Sequence, residues 1–326
     1  MKLATLRSDK SRDGQLIVVS KDGKKAVQVD SIAKNLREAV ENWSGTEGAL
    51  KEVYKKLNEG AYPGEFTVDQ QKLHSPFPRS FQWCDGSAFL HHVRLVRKAR
   101  GADLPENLLV TPLMYQGGSD TFLAPTDDIP QVDFKHGTDF EGEVVVVTND
   151  VPLGVTAEQA LKHIVLVMIA NDVSLRGLIP EELAMGFGFL QSKPSSAFAP
   201  FALTLDELSG SWREGRLHLP LYVNYNGKFF GKANAGEMHF HFGQLIAHAA
   251  RTRNLAAGTI IGSGTVSNED PTVGSSCLAE KRAIEHLNEG TPKTPFMKIG
   301  DTIEMWMTDE SGHDLFGRIS QRVTQA

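Results

Sequence analysis

Three acids alternate at Asp139, Glu141 and Glu143, directly ahead of the apolar run Val144-Val145-Val146-Val147. Read as a β-strand, this segment puts the three carboxylates on one face, because successive side chains point to opposite sides. Neighbours on that face lie about 6.7 Å apart, twice the per-residue rise. Two like charges at that spacing repel by roughly 0.6 kcal/mol in water and by roughly 2.5 kcal/mol at an effective dielectric of about 20. An exposed strand tolerates the triplet, whereas a strand leading into a buried sheet calls for a cation there. Oxygen-only ligands on a rigid strand suit a hard ion such as Mg²⁺, Ca²⁺ or Mn²⁺. The solvated start of an ordinary strand is the competing reading.

The 326 residues are enough for a sizeable core and for one small and one large domain. A formal net charge of −6 argues against nucleic acid or an anionic membrane as the main partner. An anionic substrate then needs a locally positive pocket. Two cysteines, Cys84 and Cys277, make no disulfide framework. Met1 to Arg7 lacks the apolar core of a signal peptide, and the longest clean aliphatic stretch, Ile164 to Ala170, is too short to span a bilayer. A cytoplasmic protein is expected.

Short strands are expected at Lys2 to Leu6, Gln15 to Val19 and Ala26 to Val29, with Asp13-Gly14 and Asp22-Gly23 as turn signals. A helical region follows from about Ser31 to Leu57. Residues 58–78, punctuated by Pro63-Gly64, Pro76 and Pro78, read as a linker. This divides the chain into a small N-terminal unit, 1–78, and a β-rich unit, 79–326. In the second unit, Thr156 with Gln159 forms a capping box. Ile164 to Ala170 and Leu217 to Tyr225 read as strands, the latter turned by Asn226-Gly227. A helix is expected over about Phe240 to Arg253, and further strands at Thr259 to Ile261, Thr302 to Met307 and Phe316 to Val323.

Three further clusters carry potential chemistry. If Ala88 to Arg100 is helical, Asp85 sits at its start and His92 about two turns on, so both can face one cavity. His92 is then a base suited to taking a proton from water near neutral pH; a helix cap and a packed histidine are the alternatives. Asn171-Asp172 ends an apolar strand and is followed by Arg176, then Gln191 and Lys193. Those cations suit a carboxylate or an enolate, and a surface ion pair between Asp172 and Arg176 is the plainer reading. Gly262-Ser263-Gly264-Thr265 is glycine-rich after a strand but lacks the phosphate-loop lysine and the dinucleotide fingerprint. No Gly-x-Ser-x-Gly elbow is present.

In this order the clusters resemble the fumarylacetoacetate hydrolase family over about residues 80–326. The resemblance rests on Asp85 to His92 with the following helix, Asp139-Phe-Glu141-Gly-Glu143, Asn171-Asp172-Val-Ser-Leu-Arg176, Val223-Asn-Tyr-Asn-Gly227, Gly264-Thr265 and Ile299-Gly300-Asp301-Thr-Ile-Glu304. It implies an α+β, β-rich roll behind a small N-terminal α/β domain, commonly a homodimer. It implies that Asp85, Glu141, Glu143 and Asp172 ligate one Mg²⁺ or Ca²⁺. His92 would activate water and Glu280 would orient that histidine. Arg176, Gln191 and Lys193 would hold substrate oxygens, and Thr265 a carboxylate. Ser87 stands where the best-known hydrolase has a tyrosine, and Ile179 where it has a glutamine.

The expected activity is metal-dependent hydrolysis of a carbon–carbon bond in a β-diketo acid, fumarylacetoacetate first, in aromatic amino-acid breakdown. Another 2-keto acid enzyme of the same fold (acylpyruvate hydrolase, hydratase, isomerase or decarboxylase) is the alternative. From a different class, the acids would form a structural Ca²⁺ site in a non-enzymatic protein.

Overall fold

The computed structural model describes residues 1–60, 62–104, 106–208 and 210–326. Its first strands, β1 (Lys2–Leu6), β2 (Gln15–Val19) and β3 (Lys25–Gln28), form an antiparallel meander. The Asp13-Gly14 turn between β1 and β2 needs its glycine. Gly14 has φ +64°, and a Cβ there would lie 2.4 Å from the Leu6 carbonyl oxygen. Two helices follow, α1 (Leu36–Glu41), capped by the Asn35 side chain, and α2 (Trp43–Asn58), which buries Trp43, Leu50, Val53 and Leu57.

The remaining elements that position the site are β4 (Trp83–Gly86), α3 (Leu90–Ala99), β5 (Met114–Gly117), β6 (Gly142–Thr148), β7 (Ile164–Asn171), α4 (Ile179–Met185), β8 (Ala202–Leu203), β9 (Pro220–Tyr225), β10 (Lys228–Asn234), α5 (Phe242–Ala249), β11 (Ile260–Gly262), α6 (Leu278–Glu289), β12 (Thr302–Met307) and β13 (Ile319–Gln325). The capping box at Thr156 and Gln159 is present. Asn226 and Gly227, at φ 51° and 70°, make the expected tight turn between β9 and β10.

Among the described residues one 12-stranded sheet runs in the order β3-β2-β1-β8-β7-β6-β11-β4-β5, with Phe66–Thr67 outside β3, Leu73–His74 paired to β1 and Ala197–Phe198 paired to β7. The N-terminal strands therefore continue the large sheet, with Leu3 paired to Ala202. Most of its pairings are antiparallel, but β4 lies parallel to β11, Asp85 opposite Gly262. A second, five-stranded sheet carries β10-β9-β12-β13.

The valine run of β6 is continuous because both faces of the main sheet are covered. Val145 and Val147 pack with Leu3, Trp83, Met168 and the apolar stripe of α1 and α2. Val144 and Val146 pack on the other side with α3, α5 and the second sheet. Burial of each such valine is worth about 1.5–3 kcal/mol. By alternation, Asp85, Glu143 and Asp172 lie on the face of Trp83, Val145 and Ala170, where the apolar layer ends.

Candidate active site

Asp85, Glu143 and Asp172 each offer an oxygen, and these atoms all lie within 4.8 Å of one another. All three side chains are buried. Asp85 stands on β4 and not at a helix start: α3 begins at Leu90, with Phe89 as its N-cap. Its neighbour strand must come very close. A Cβ on Gly262 would lie 2.3 Å from Asp85 Oδ1, and the Gly264 N–H donates to that same oxygen at 3.0 Å. The glycine-rich loop is thus a cradle for Asp85. Thr265, next along it, lines the cavity with a buried hydroxyl that has no partner.

The acidic alternation is split between two sheets. Thr138–Asp139 pairs with Ser174–Leu175, and Glu143 belongs to β6 of the main sheet. Each acid meets different chemistry. Asp139 accepts from Arg176 Nε at 2.8 Å and from the Leu278 and Ala279 N–H groups that open α6. Glu141 is bonded by Arg176 on one oxygen and by Lys193 Nζ, at 2.7 Å, on the other. Glu141, expected as a fourth metal ligand, instead stands beside the three-acid cluster with both oxygens engaged by these cations. Glu143 has two buried oxygens without any hydrogen-bond partner.

Lys193 also donates to Asp172 at 2.6 Å and to Ser174 Oγ at 2.8 Å, which satisfies its ammonium. Asp172 further accepts from the Tyr115 hydroxyl and from Ser196 Oγ, each at 2.6 Å. The plainer reading of Asp172 and Arg176 as a surface pair therefore fails. Asp172 pairs with Lys193, and Arg176 pairs with Asp139 and Glu141. Burial alone would depress the Lys193 ammonium, but the charges of Asp172 and Glu141 outweigh it and push its pKa up. The same cations hold Glu141 below the usual carboxylate range against the opposing effect of burial.

Arg176 and Lys193 make no ion pair or hydrogen bond with Asp85 or Glu143. Burial and the Asp172 charge raise Asp85 to about 8, and burial with the Asp85 charge raises Glu143 well above its ordinary value. Two buried, mutually repelling carboxylates with free oxygens are the donor set a hard divalent cation requires. The residues present fit such an ion, held by Asp85, Glu143 and Asp172.

Across the cavity, His92 Nδ1 is 3.0 Å from Glu280 Oε2. Glu280 is 2% exposed, so its carboxylate is held away from bulk water, while His92 is only half-buried. Burial alone would raise this carboxyl, but the hydrogen bond and charge of His92 bring it below its ordinary value. Asp139 fixes the N-terminus of α6 and Arg176 together, so one buried acid ties the helix carrying Glu280 to the cation pair. The cavity is about 160 Å³ and is lined by His92, Glu141, Glu143, Arg176, Lys193 and Thr265 among others. Gln191 is not there; it is exposed, and its N–H donates to Glu182. Tyr115, Arg97 and Arg100 also line the cavity, and sequence reasoning missed them. The spacing of Arg97 and Arg100, one turn apart on an apolar-faced helix, was the available signal.

Residues 82–324 match the family model for the fumarylacetoacetate (FAA) hydrolase C-terminal region, and residues 1–79 match that for fumarylacetoacetase N-terminal domain 2. The chain belongs to the fumarylacetoacetate hydrolase family. It is 25% identical over 301 residues to the oxaloacetate tautomerase YisK of Bacillus subtilis (strain 168), spanning 90% of this chain and 89% of that protein. It is 24% identical over 211 residues to a fumarylacetoacetase of Caenorhabditis elegans, spanning 56% of this chain and 50% of that one. In fold it is similar to maleylpyruvate hydrolase from Sphingobium sp. SYK-6 in complex with manganese(II) and pyruvate, with a TM-score of 0.67, 16% identity and 100% of both chains covered. Among the described residues no helix is long and apolar enough to cross a membrane.

Proposed function

We propose that this chain is a metal-dependent hydrolase that cleaves a carbon–carbon bond in a β-diketo acid, with fumarylacetoacetate, giving fumarate and acetoacetate, as its best-matched substrate. The observation that carries this reading is the His92–Glu280 pair facing the cavity of the three clustered acids. Bound at Asp85, Glu143 and Asp172, a divalent cation (Mg²⁺, Ca²⁺ or Mn²⁺) supplies Lewis-acid polarisation of the substrate's keto oxygens. Manganese is present in the similar maleylpyruvate hydrolase.

The protein's own groups supply the rest. Glu280 accepts a hydrogen bond from the Nδ1–H of His92, which fixes the tautomer and leaves Nε2 to take a proton from water. The resulting hydroxide attacks the carbonyl, the carbon–carbon bond breaks, and its electron pair enters the departing enolate. Arg176 and Lys193 offset the negative charge there, and His92 returns its proton to the enolate carbon. Thr265, whose hydroxyl has no partner within the protein, binds a substrate carboxylate. Arg97 and Arg100, which line the cavity and make no ion pair among the described residues, add positive charge that draws in an anionic substrate.

Keto–enol tautomerisation of oxaloacetate is the second reading, favoured by the near full-length likeness to YisK. It needs the same base but no water. A spectrophotometric screen of fumarylacetoacetate, acylpyruvates and enol-oxaloacetate, with Mg²⁺ or Mn²⁺ and with a chelator, separates the two. We expect metal-dependent loss of the diketo chromophore, and His92→Ala to lower kcat by at least about 100-fold with metal binding retained. Turnover at the original rate in that variant would place the base elsewhere. Turnover of enol-oxaloacetate alone would establish the tautomerase reading.

A further inference from the structure

Tyr115 and Phe189 meet edge to face, with ring centroids 5.2 Å apart and planes at 81°, and both line two cavities. One is the cavity of the clustered acids. The other, about 600 Å³, reaches the opposite face of β4 and β5, the face of Cys84 and Gln116. It is backed there by His248 of α5 and by Arg253. Because β5 is the last strand of the main sheet, no further strand stands between the two spaces at that edge. The aromatic pair is the wall between them.

The two halves of the wall differ in how they are held. Tyr115 is fixed by its bond to Asp172 and lies beneath the Lys193 ammonium, 5.1 Å from the ring centroid. Phe189 follows Gly186 and Gly188, both at positive φ with open space around them. Its neighbours Phe187 and Leu190 are exposed, while Phe189 turns inward. The second cavity is lined by no Asp or Glu, and Arg253, an exposed residue at its rim, makes no hydrogen bond or ion pair among the described residues.

We propose that this second cavity is a subsite for the distal carboxylate of an extended dicarboxylic acid, held by Arg253, with Phe189 setting the chain length admitted. The proposal rests on the 2-keto acid reading above and assigns it a substrate class: diacids longer than four carbons. A free guanidinium in an acid-free pocket takes a carboxylate through paired charge-assisted hydrogen bonds.

Calorimetric titration of the Mn²⁺-loaded protein with suberate and succinate, unreactive diacids of eight and four carbons, tests the subsite directly. Suberate should bind more tightly than succinate, and Arg253→Gln should cut that preference about ten-fold, the worth of one hydrogen bond to a charged group. In turnover of fumarylacetoacetate the same variant should raise KM about ten-fold at nearly constant kcat, because Arg253 lies beyond the wall from the reacting atoms. Suberate binding no tighter than succinate, or a preference that survives Arg253→Gln, overturns the subsite. An Arg253-dependent preference in a protein that turns over no 2-keto acid overturns the assigned reaction and leaves the subsite standing.

Discussion

Glu143 shows how one side chain can be unfavourable in the bare protein and favourable in the loaded one. Its oxygens are buried and unpartnered, and its pKa is pushed up by burial and by Asp85. Glu143→Gln removes a potential charge without changing the side chain's size. The variant should be no less stable than the parent in a chelator. With metal at about 100 times Kd, the parent should gain about 2.7 kcal/mol, and the variant should lose most of that gain. Thermal unfolding with and without Mn²⁺ reads both numbers. A variant destabilised equally in both conditions would make Glu143 a packing residue.

Among the elements, the β1–β2 turn is fastened to the rest of the chain by Asp13. Its carboxylate accepts from Arg79 Nε at 2.7 Å and from Arg37 at 2.9 Å, joining the turn to α1 and to the segment that leads into β4. The Arg79 hydrogen bond is the largest cause holding Asp13 below its ordinary value. A depressed folded pKa means the stabilisation is complete above the unfolded value of about 3.9 and is lost as pH falls through the folded one. Both guanidiniums are partly exposed, so the contribution is on the order of 1 kcal/mol. Asp13→Asn should lower the melting temperature at pH 7 and make little difference at pH 3. An equal deficit at both pH values would show that the charge is not the cause.

Element-scale signals also decide what could be read in advance. The Asp-Gly and Asn-Gly turns, the Thr156 capping box and the valine strand are local chemistry, and all were legible. The strand under Asp85 was not. Trp83–Gly86 is four residues long, and its parallel partner is β11, so nothing nearby in sequence announces the pairing. The helix under Glu280 starts on Cys277, which lies outside the usual capping set, so its start signal was absent. The acidic alternation pointed to the right place, yet the jobs of its three members are set by Arg176 and Lys193, whose positions depend on tertiary structure.

For the whole molecule, the continuity of the main sheet from β3 to β5 makes the N-terminal residues part of the core. Leu3 is fully buried, pairs with Ala202 and shares its apolar layer with Trp83, the close neighbour of Asp85. Leu3→Ala should cost about 2–5 kcal/mol, through lost burial and a residual cavity. The unfolding transition should shift as a single step while metal affinity of the folded protein stays unchanged. A biphasic melt would mean that residues 1–78 unfold as a separate unit. This continuity of the sheet could not be read from the linker-like composition of 58–78, because pairing between β1 and β8 joins residues about 200 apart.

The bond from the Gly264 N–H to Asp85 spans 179 positions of the chain. On a ribosome moving at about 5–20 residues per second, Asp85 emerges roughly 9–36 s before the backbone that cradles it. Until then β4 lacks the strand that joins it to the sheet, and its buried acid has no N–H to meet. The nascent chain must keep Trp83 and its apolar neighbours from finding other partners throughout that wait. Production of active protein should therefore respond to translation speed and chaperone supply more steeply than the melting temperature of the finished molecule would suggest.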